Sequence, residues 1–223
     1  MSNEKEKVII LSPTVGSTYS FGWERMKRFF LDLFLITIIV GVVLTPIAMI
    51  QSLDGHETPG GVLLRIFSFA YWFLLFGPIT YGAALVFLKA VRNGQVEVKD
   101  MFSTFENYLN VVLAHLLVSA IVGIGIVLLV VPGIIFACRL AFVRYLVVDR
   151  KMEPVEAVKE SWRMTRGYAT RIFFMGLLAA AVAIAGLICF GVGIIPAVMW
   201  IRCAFASMYY AVTKIREPKE ETA

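Results

Sequence analysis

The chain alternates long apolar stretches with short segments that are rich in charged residues. Six stretches are almost entirely apolar, and they cover residues 29–50, 62–91, 109–131, 134–148, 172–195 and 197–212. About 18 consecutive apolar residues suffice to cross a bilayer, and backbone groups in lipid must be hydrogen-bonded within the segment. The two-residue alternation of membrane β-barrel strands does not occur in the sequence. The pattern therefore predicts an all-α, polytopic membrane helix bundle with six transmembrane helices.

The fourth and sixth apolar stretches are short, and they follow Pro132 and Pro196. With about 16 residues each they would form about 24 Å of helix, slightly less than the hydrocarbon core. We expect tight turns at Pro132-Gly133 and at residues 191–196. Re-entrant segments are the alternative, but the distribution of charges favours full spans.

Three charged segments carry apolar side chains on one helical face just before an apolar stretch. These faces consist of Tyr19, Trp23, Met26 and Phe30, of Val98, Met101, Phe102, Phe105 and Leu109, and of Val155, Val158 and Trp162. Short amphipathic helices of this type lie in the membrane interface. The unit of interfacial helix, long span, turn and second span is predicted to occur three times. Such repeats are common in transporters, and duplication of a stable hairpin explains them equally well.

Most of the 21 lysine and arginine residues lie on one side of the predicted spans. The connections on the other side, including residues 51–61, contain none. Cytoplasmic loops carry the excess of basic residues, so both termini are expected in the cytoplasm. The predicted division is a cytoplasmic segment with an amphipathic helix (1–28), a six-span membrane domain (29–213) and a cytoplasmic polar tail (214–223).

The composition supports a membrane protein. Hydrophobic residues make up 59% of the chain and charged residues 17%, against about 45–50% and about 25% in soluble domains. The mean hydropathy is +0.80. The net charge of +5 is explained by the basic residues of the predicted cytoplasmic segments. We therefore expect no nucleic-acid partner. We predict a multipass protein of the inner cell membrane.

Two arginines lie inside apolar stretches and have similar surroundings. Arg139 follows Pro132 by seven residues and Arg202 follows Pro196 by six. An arginine near the bilayer centre costs about 2.5–3.5 kcal/mol on insertion scales, so it is usually paired or faces water. In a structural interpretation, each guanidinium caps backbone carbonyls or reaches along its span to a headgroup. In a functional one, the arginines bind an anion or a lipid phosphate, and the scarcity of acidic residues in the spans is the main argument for it. We place the structural interpretation first.

His115 and Asp32 are secondary candidates. His115 lies in the third apolar stretch, where it is either a proton relay or, as we favour, a helix-packing residue. Asp32 lies at the inner edge of the first stretch, where an interfacial ion pair is the simplest role. The histidines form no metal-binding motif, and the glycines form no phosphate loop. We therefore expect no enzyme activity, no cofactor and no metal site.

Three motifs resemble a group of prokaryotic six-span proteins: Pro132-Gly133-Ile134-Ile135 with Arg139, the sequence Val147-Val148-Asp149, and EAVKESWRMTRG at residues 156–167. This group includes the membrane domain attached to some glycerophosphodiester phosphodiesterases and related uncharacterised multipass families of the YciC type. The resemblance covers roughly residues 70–215 and implies a six-helix membrane module. It implies no phosphodiesterase activity, because in the fused proteins that chemistry belongs to a separate soluble barrel.

Two classes of function remain open from the sequence. The first is a non-enzymatic module that binds anionic lipid or a protein partner in the cell envelope. The second is a transporter of a small solute or lipid with a site at Arg139 and Arg202. Transporters usually combine paired ionisable groups with broken helices at a cavity. Arginines without evident counter-charges favour the first class.

Overall fold

The computed structural model describes residues 12–52, 63, 66–68, 70–188 and 193–220. These residues form helices and no strand, which confirms the all-α prediction. The α-helices are α1 (Val15–Arg28), α2 (Phe30–Ser52), α3 (Gly77–Val91), α4 (Tyr108–Leu128), α5 (Val130–Arg139), α6 (Val143–Asp149), α7 (Pro154–Met164), α8 (Ala169–Ile188) and α9 (Ile194–Glu220). A π-helical turn, Trp72–Phe76, leads into α3, and a 3-10 helix, Val98–Asn107, leads into α4.

Five helical stretches within the described residues are long and apolar enough to cross a membrane: Leu74–Val91, Val98–Leu128, Val130–Asp149, Ala169–Ile188 and Ile194–Arg216. A shorter apolar helix, Phe30–Val43, lies within α2. Large apolar side chains on these helices face outward; Val127 is 87% exposed and Ile188 is 76% exposed. Such a surface would promote association in water. The fold is thus compatible with a multipass membrane protein.

The turn between α4 and α5 lies earlier than the predicted Pro132-Gly133. Leu129 alone connects the two helices, and Pro132 lies in the first turn of α5. Proline is tolerated there because its missing N–H would have no intrahelical partner. Pro196 occupies the same position in α9, two residues after Ile194. Part of the second predicted turn, residues 191–192, lies outside the described residues.

The predicted fourth span is divided into two helices. A turn at residues 140–142 separates α5 from α6. The side chains of Ser161 and Thr165, near the end of α7, donate hydrogen bonds of 2.7 and 3.2 Å to the backbone oxygen of Arg139. They therefore pair with a carbonyl at the end of α5. This contact between distant parts of the chain stabilises the break.

Helix α9 lies at the centre of the bundle and packs against α1, α2, α3 and α8. Helix α1 approaches α9 closely at Gly22, where a Cβ atom would lie 2.8 Å from the backbone nitrogen of Ala204. The indole of Trp200 donates a 2.8 Å hydrogen bond to the backbone oxygen of Tyr19. Trp23 packs edge-on against Trp200, with ring centres 5.0 Å apart. The predicted amphipathic helix is therefore held tightly against a membrane-length helix.

The other two predicted amphipathic segments differ from each other. Helix α7 begins at Pro154 and confirms the predicted helix, whereas the segment before α4 is a 3-10 helix. Trp23, Phe105 and Trp162, the aromatic residues predicted for the interface, are 41%, 39% and 38% exposed.

One end of the bundle joins distant segments through polar contacts. Arg92, which follows α3, donates hydrogen bonds of 2.5 and 2.7 Å to Asp149 at the end of α6. Tyr209 of α9 donates a 3.0 Å hydrogen bond to the same carboxylate, and Arg25 of α1 donates a 2.7 Å bond to Asn93. Burial opposes the charge of Arg92, but its hydrogen bonds to Asp149 and the charge of that carboxylate raise the pKa of Arg92. We call this region the polar end.

Candidate anion site in the helix bundle

A cavity of about 440 Å³ lies between α3, α4, α6 and α9. Its polar lining residues are Thr80, Tyr81, His115, Ser119, Arg144 and Arg202. Aromatic side chains form much of the remaining wall, namely Trp72, Phe76, Phe87 and Tyr145. Among the residues that the structure describes, no acidic side chain lines it. Two guanidinium groups and several hydroxyl groups thus face a largely apolar space.

The cavity lies beside two irregularities in the helices. The π-helical turn contributes Trp72 and Phe76, and the turn between α5 and α6 contributes Leu140 and Ala141. An inserted π turn or a broken helix changes the direction of side chains, and both occur often at functional sites. Here they interrupt regular packing where the cavity opens.

Arg202 is the sequence-predicted arginine that lies in the cavity. Its side chain is mostly buried, and its guanidinium carbon lies 5.8 Å from the ring centre of Phe87. No ion pair joins it to any acidic side chain that the structure describes. An aromatic face offsets part of the desolvation cost of a cation. A bound anion would offset more of it.

Arg144 is a second arginine in the cavity, and it was not among the residues predicted from the sequence. It lies in the first turn of α6, is exposed, and acts electrostatically on Arg202, Tyr81, Tyr145 and His115. The sequence contains one signal for Arg144, which is a second charged residue in the apolar stretch that contains Arg139. The side of the bundle that it faces depends on the helix break, which the apolar pattern does not reveal.

Arg139 does not line this cavity. Its guanidinium carbon lies 5.4 Å from the ring centre of Trp162 in α7. Its Nε and Nη1 atoms are buried and have no hydrogen-bond partner among the described residues. The distances of the two arginines from their prolines differ by one residue, and one residue turns a helix by about 100°. The similar spacing therefore does not bring Arg139 and Arg202 to one cavity.

His115 lines the cavity and packs against aromatic side chains there. Its ring packs edge-on against Tyr81, with centres 5.9 Å apart, and lies 6.3 Å from the ring of Trp72. Gly77 makes room for it, because a Cβ atom there would lie 3.0 Å from the imidazole Cδ2. Asp32 lies in the first turn of α2, half-buried, and does not line the cavity.

No family model matches the sequence, and neither a curated protein nor a solved structure matches the chain. Function is therefore inferred from the chemistry of the cavity. Guanidinium groups offer forked pairs of N–H donors that suit carboxylate and phosphate oxygens. The lining combines these donors with aromatic and aliphatic walls, so it suits an anionic group that is attached to an apolar body.

Proposed function

We propose that this protein is a non-enzymatic, six-span inner-membrane module that binds the phosphate of an anionic lipid in the cavity at Arg202. One observation carries the proposal: Arg144 and Arg202 line the same cavity, and none of the described residues that line it is acidic. Arg202 is mostly buried, and a buried charge is normally paired. A phosphate would pair with both guanidinium groups, while the aromatic wall would contact the glycerol and the start of the acyl chains.

The proposed membrane placement has six spans and cytoplasmic termini. Helix α2 has 23 residues, or about 34 Å at 1.5 Å per residue, and serves as the first span. The polar end supports the orientation, because it collects basic residues from segments that the charge asymmetry assigns to the cytoplasm. The tail predicted from residue 214 continues α9 as far as Glu220.

The proposed repeat has support from two hairpins. In the first, Gly125 of α4 faces Gly133 of α5, and in the second, Gly186 of α8 faces Gly193 before α9. A Cβ atom at Gly125 or Gly186 would lie under 3.0 Å from its neighbours. Small residues at such positions let membrane helices approach closely. The resemblance to the membrane domain of some glycerophosphodiester phosphodiesterases and to YciC-type families remains part of the proposal.

A transporter of a small anionic solute or lipid is the second candidate function. The broken helix between α5 and α6 and the π-helical turn before α3 both reach the cavity, and discontinuous helices are typical of transporter sites. The pairing of charges that usually accompanies such sites is not evident among the described lining residues. We therefore place lipid binding first.

The test measures lipid retained by the full-length protein. The protein is purified in a neutral detergent and exchanged with phosphatidylglycerol or with zwitterionic phosphatidylcholine, and bound lipid is counted by native mass spectrometry. We expect Arg202→Gln and Arg144→Gln to weaken phosphatidylglycerol binding by about ten-fold, because each removes charge-assisted hydrogen bonds. Arg202→Lys should give an intermediate loss, since lysine keeps the charge but not the fork.

Arg139→Gln is the matched variant, because it removes an arginine of the same apolar surroundings outside the cavity. Unchanged lipid binding in this variant would restrict the site to Arg144 and Arg202. An equal loss would instead support the original prediction that Arg139 and Arg202 bind one anion together. Unchanged binding in the Arg202 and Arg144 variants, with higher thermal stability, would contradict the proposal, since apolar or neutral replacement of a tolerated buried charge can stabilise.

Experiments with reconstituted vesicles distinguish a transporter from a lipid-binding module. Protein-dependent movement of a fluorescent anionic lipid between leaflets, lost in Arg202→Gln, would favour transport over simple binding. Retention of lipid without such movement would favour the binding module.

A further inference from the structure

A second basic site lies outside the cavity, at the polar end of the bundle. A cleft of about 580 Å³ opens between the turn that joins α7 to α8 and the last part of α9. Four arginines line it: Arg163, Arg166, Arg171 and Arg216. No acidic residue lines it among the residues that the structure describes. This arginine cleft does not share any lining residue with the cavity.

The local fold fixes the positions of these arginines. The turn Thr165–Tyr168 follows α7 and includes Gly167 at φ +88°, a conformation that glycine adopts without strain. Hydrogen bonds from Arg166 N to Arg163 O (3.2 Å) and from Tyr168 N to Thr165 O (2.9 Å) hold the turn. Arg163, Arg166 and Arg171 are thereby brought around one opening, although they come from two helices and a turn.

Two of the four arginines have protein partners, and two remain for a ligand. Arg163 forms an ion pair of 2.8 Å with Glu160. Arg171 donates a 2.9 Å hydrogen bond to the backbone oxygen of Pro13 and lies over the ring of Tyr168. No ion pair joins Arg166 or Arg216 to an acidic side chain that the structure describes. Both guanidinium groups therefore lack an acidic partner among the described residues, which leaves them for an anionic ligand.

We propose that the arginine cleft binds the headgroup of a phospholipid that carries two phosphates, on the cytoplasmic side of the membrane. Basic pockets between transmembrane helices on this side are suited to polyphosphorylated or doubly charged headgroups. Arg171 stands at the start of the membrane-length helix α8, so the cleft borders the headgroup layer. Arg166 and Arg216 each offer one forked pair of N–H donors, so a headgroup with two phosphates gives each guanidinium its own phosphate.

This inference rests on the proposed membrane placement but not on the cavity. The experiment titrates full-length protein in neutral detergent with cardiolipin, which has two phosphates, and with phosphatidylglycerol, which has one. Bound lipid is counted by native mass spectrometry. The double variant Arg166→Gln/Arg216→Gln is compared with Lys27→Gln/Lys159→Gln, which removes the same charge from exposed positions outside the cleft.

We expect the arginine double variant to bind cardiolipin about ten-fold more weakly and the lysine double variant to change by less than about two-fold, because only the former loses charge-assisted hydrogen bonds. In Arg202→Gln, in which the proposed cavity site is weakened, phosphatidylglycerol should bind more weakly than cardiolipin. Gel-filtration profiles and thermal unfolding of both double variants establish that they are folded. Arg202→Gln should leave this cardiolipin site intact.

Four results would overturn the inference. Equal losses in the arginine and lysine double variants would mean that cardiolipin responds only to net charge. Equal binding of cardiolipin and phosphatidylglycerol by Arg202→Gln, in which the cavity site is weakened, would remove the need for two phosphates. Binding of inorganic pyrophosphate without lipid, with the same loss in Arg166→Gln/Arg216→Gln, would assign the cleft to a soluble diphosphate. Loss of all cardiolipin in Arg202→Gln alone would assign that lipid to the cavity, leaving the proposed function intact.

Discussion

Arg92 and Asp149 are joined by two parallel hydrogen bonds, of 2.5 and 2.7 Å, which link the end of α3 to the end of α6. The Asp149 side chain is only 10% exposed, against 37% for Arg92. Tyr209 of α9 donates to the same carboxylate at 3.0 Å. One largely buried carboxylate therefore joins three membrane-length segments, and this pairing holds the polar end together.

Replacing Asp149 with asparagine should destabilise the bundle. A neutral amide could not pair with both donors of the Arg92 fork, so a charge at the edge of the bundle would lose its partner. We expect the free energy of unfolding to fall by about 1–2 kcal/mol. This value is at the lower end for hydrogen bonds to charged groups, because Arg92 is partly exposed. Thermal unfolding in detergent, followed by intrinsic fluorescence, measures it as a lower midpoint.

Glu153→Gln is the control for this variant, since it makes the same chemical change at an exposed residue whose side chain does not cap α7. It should leave the unfolding midpoint unchanged. Tyr209→Phe should fall between the two variants, because it removes one hydrogen bond and leaves the ion pair. Equal midpoints for Asp149→Asn and Glu153→Gln would refute a structural role for the pair.

The helices of this fold could be predicted from apolar patterning, but the cavity could not. The apolar stretches and the amphipathic segments around Trp23 and Trp162 follow from periodicity and charge alone. At the helix break after Arg139, the backbone oxygen of Arg139 accepts hydrogen bonds from Ser161 and Thr165, which lie in a distant part of the chain. Periodicity within one segment carries no information about such contacts.

The arginines show that the sequence predicts the candidate site only in part. The sequence identified Arg202 as a membrane-depth charge and the structure places it in the cavity. It paired Arg202 with Arg139 from similar spacing, whereas the structure brings Arg144 to the same cavity. A one-residue difference in spacing rotates a helical side chain by about 100°. Local similarity between repeats therefore does not specify which side chains converge.

Gly22 should be intolerant of any side chain. A Cβ atom at this position would lie 2.8 Å from the backbone nitrogen of Ala204, and backbone atoms in the centre of the bundle cannot move aside cheaply. We expect Gly22→Ala to cost about 1–3 kcal/mol through overpacking. A lower thermal unfolding midpoint, together with faster proteolysis before α2, would show that α1 has loosened from α9.

Gly16→Ala is the matched control, in the same helix. Nothing lies within 4 Å of a Cβ atom at Gly16, and alanine favours a helix over glycine by up to about 1 kcal/mol. The midpoint should stay the same or rise. If Gly22→Ala behaves like Gly16→Ala, the close approach of α1 to α9 is not present in the native protein.

The predicted orientation can be tested by cysteine accessibility. In a variant in which Cys138, Cys189 and Cys203 are replaced by alanine, a single cysteine is placed at Ser2 or at His56. Because basic residues favour the cytoplasmic side, an impermeant maleimide should label intact cells at position 56 and not at position 2. After the cells are permeabilised, both positions should react. Labelling of position 2 in intact cells would reverse the topology.

Trp162 should lie at the level of the cytoplasmic headgroups, whereas Trp23 should lie deeper, because its ring packs against Trp200 of membrane-length α9. Variants that retain one tryptophan each, with the others replaced by phenylalanine, are reconstituted with lipids brominated at different depths along the acyl chain. For Trp162, quenching should be strongest for bromine near the headgroup, because a partly exposed indole on an amphipathic helix places its polar edge in the interface. For Trp23, quenching should be strongest for bromine farther along the acyl chain.

Trp200 provides an internal comparison for this measurement. Its ring centre is 5.0 Å from that of Trp23, and it lies only six residues after the start of membrane-length α9. A variant that retains only Trp200 should therefore show the same deep profile as Trp23. A deep profile for Trp200 combined with a shallow one for Trp23 would mean that α1 is not seated against α9. Strong quenching of Trp23 and Trp162 by aqueous iodide, with little effect of brominated lipid, would remove both helices from the membrane surface.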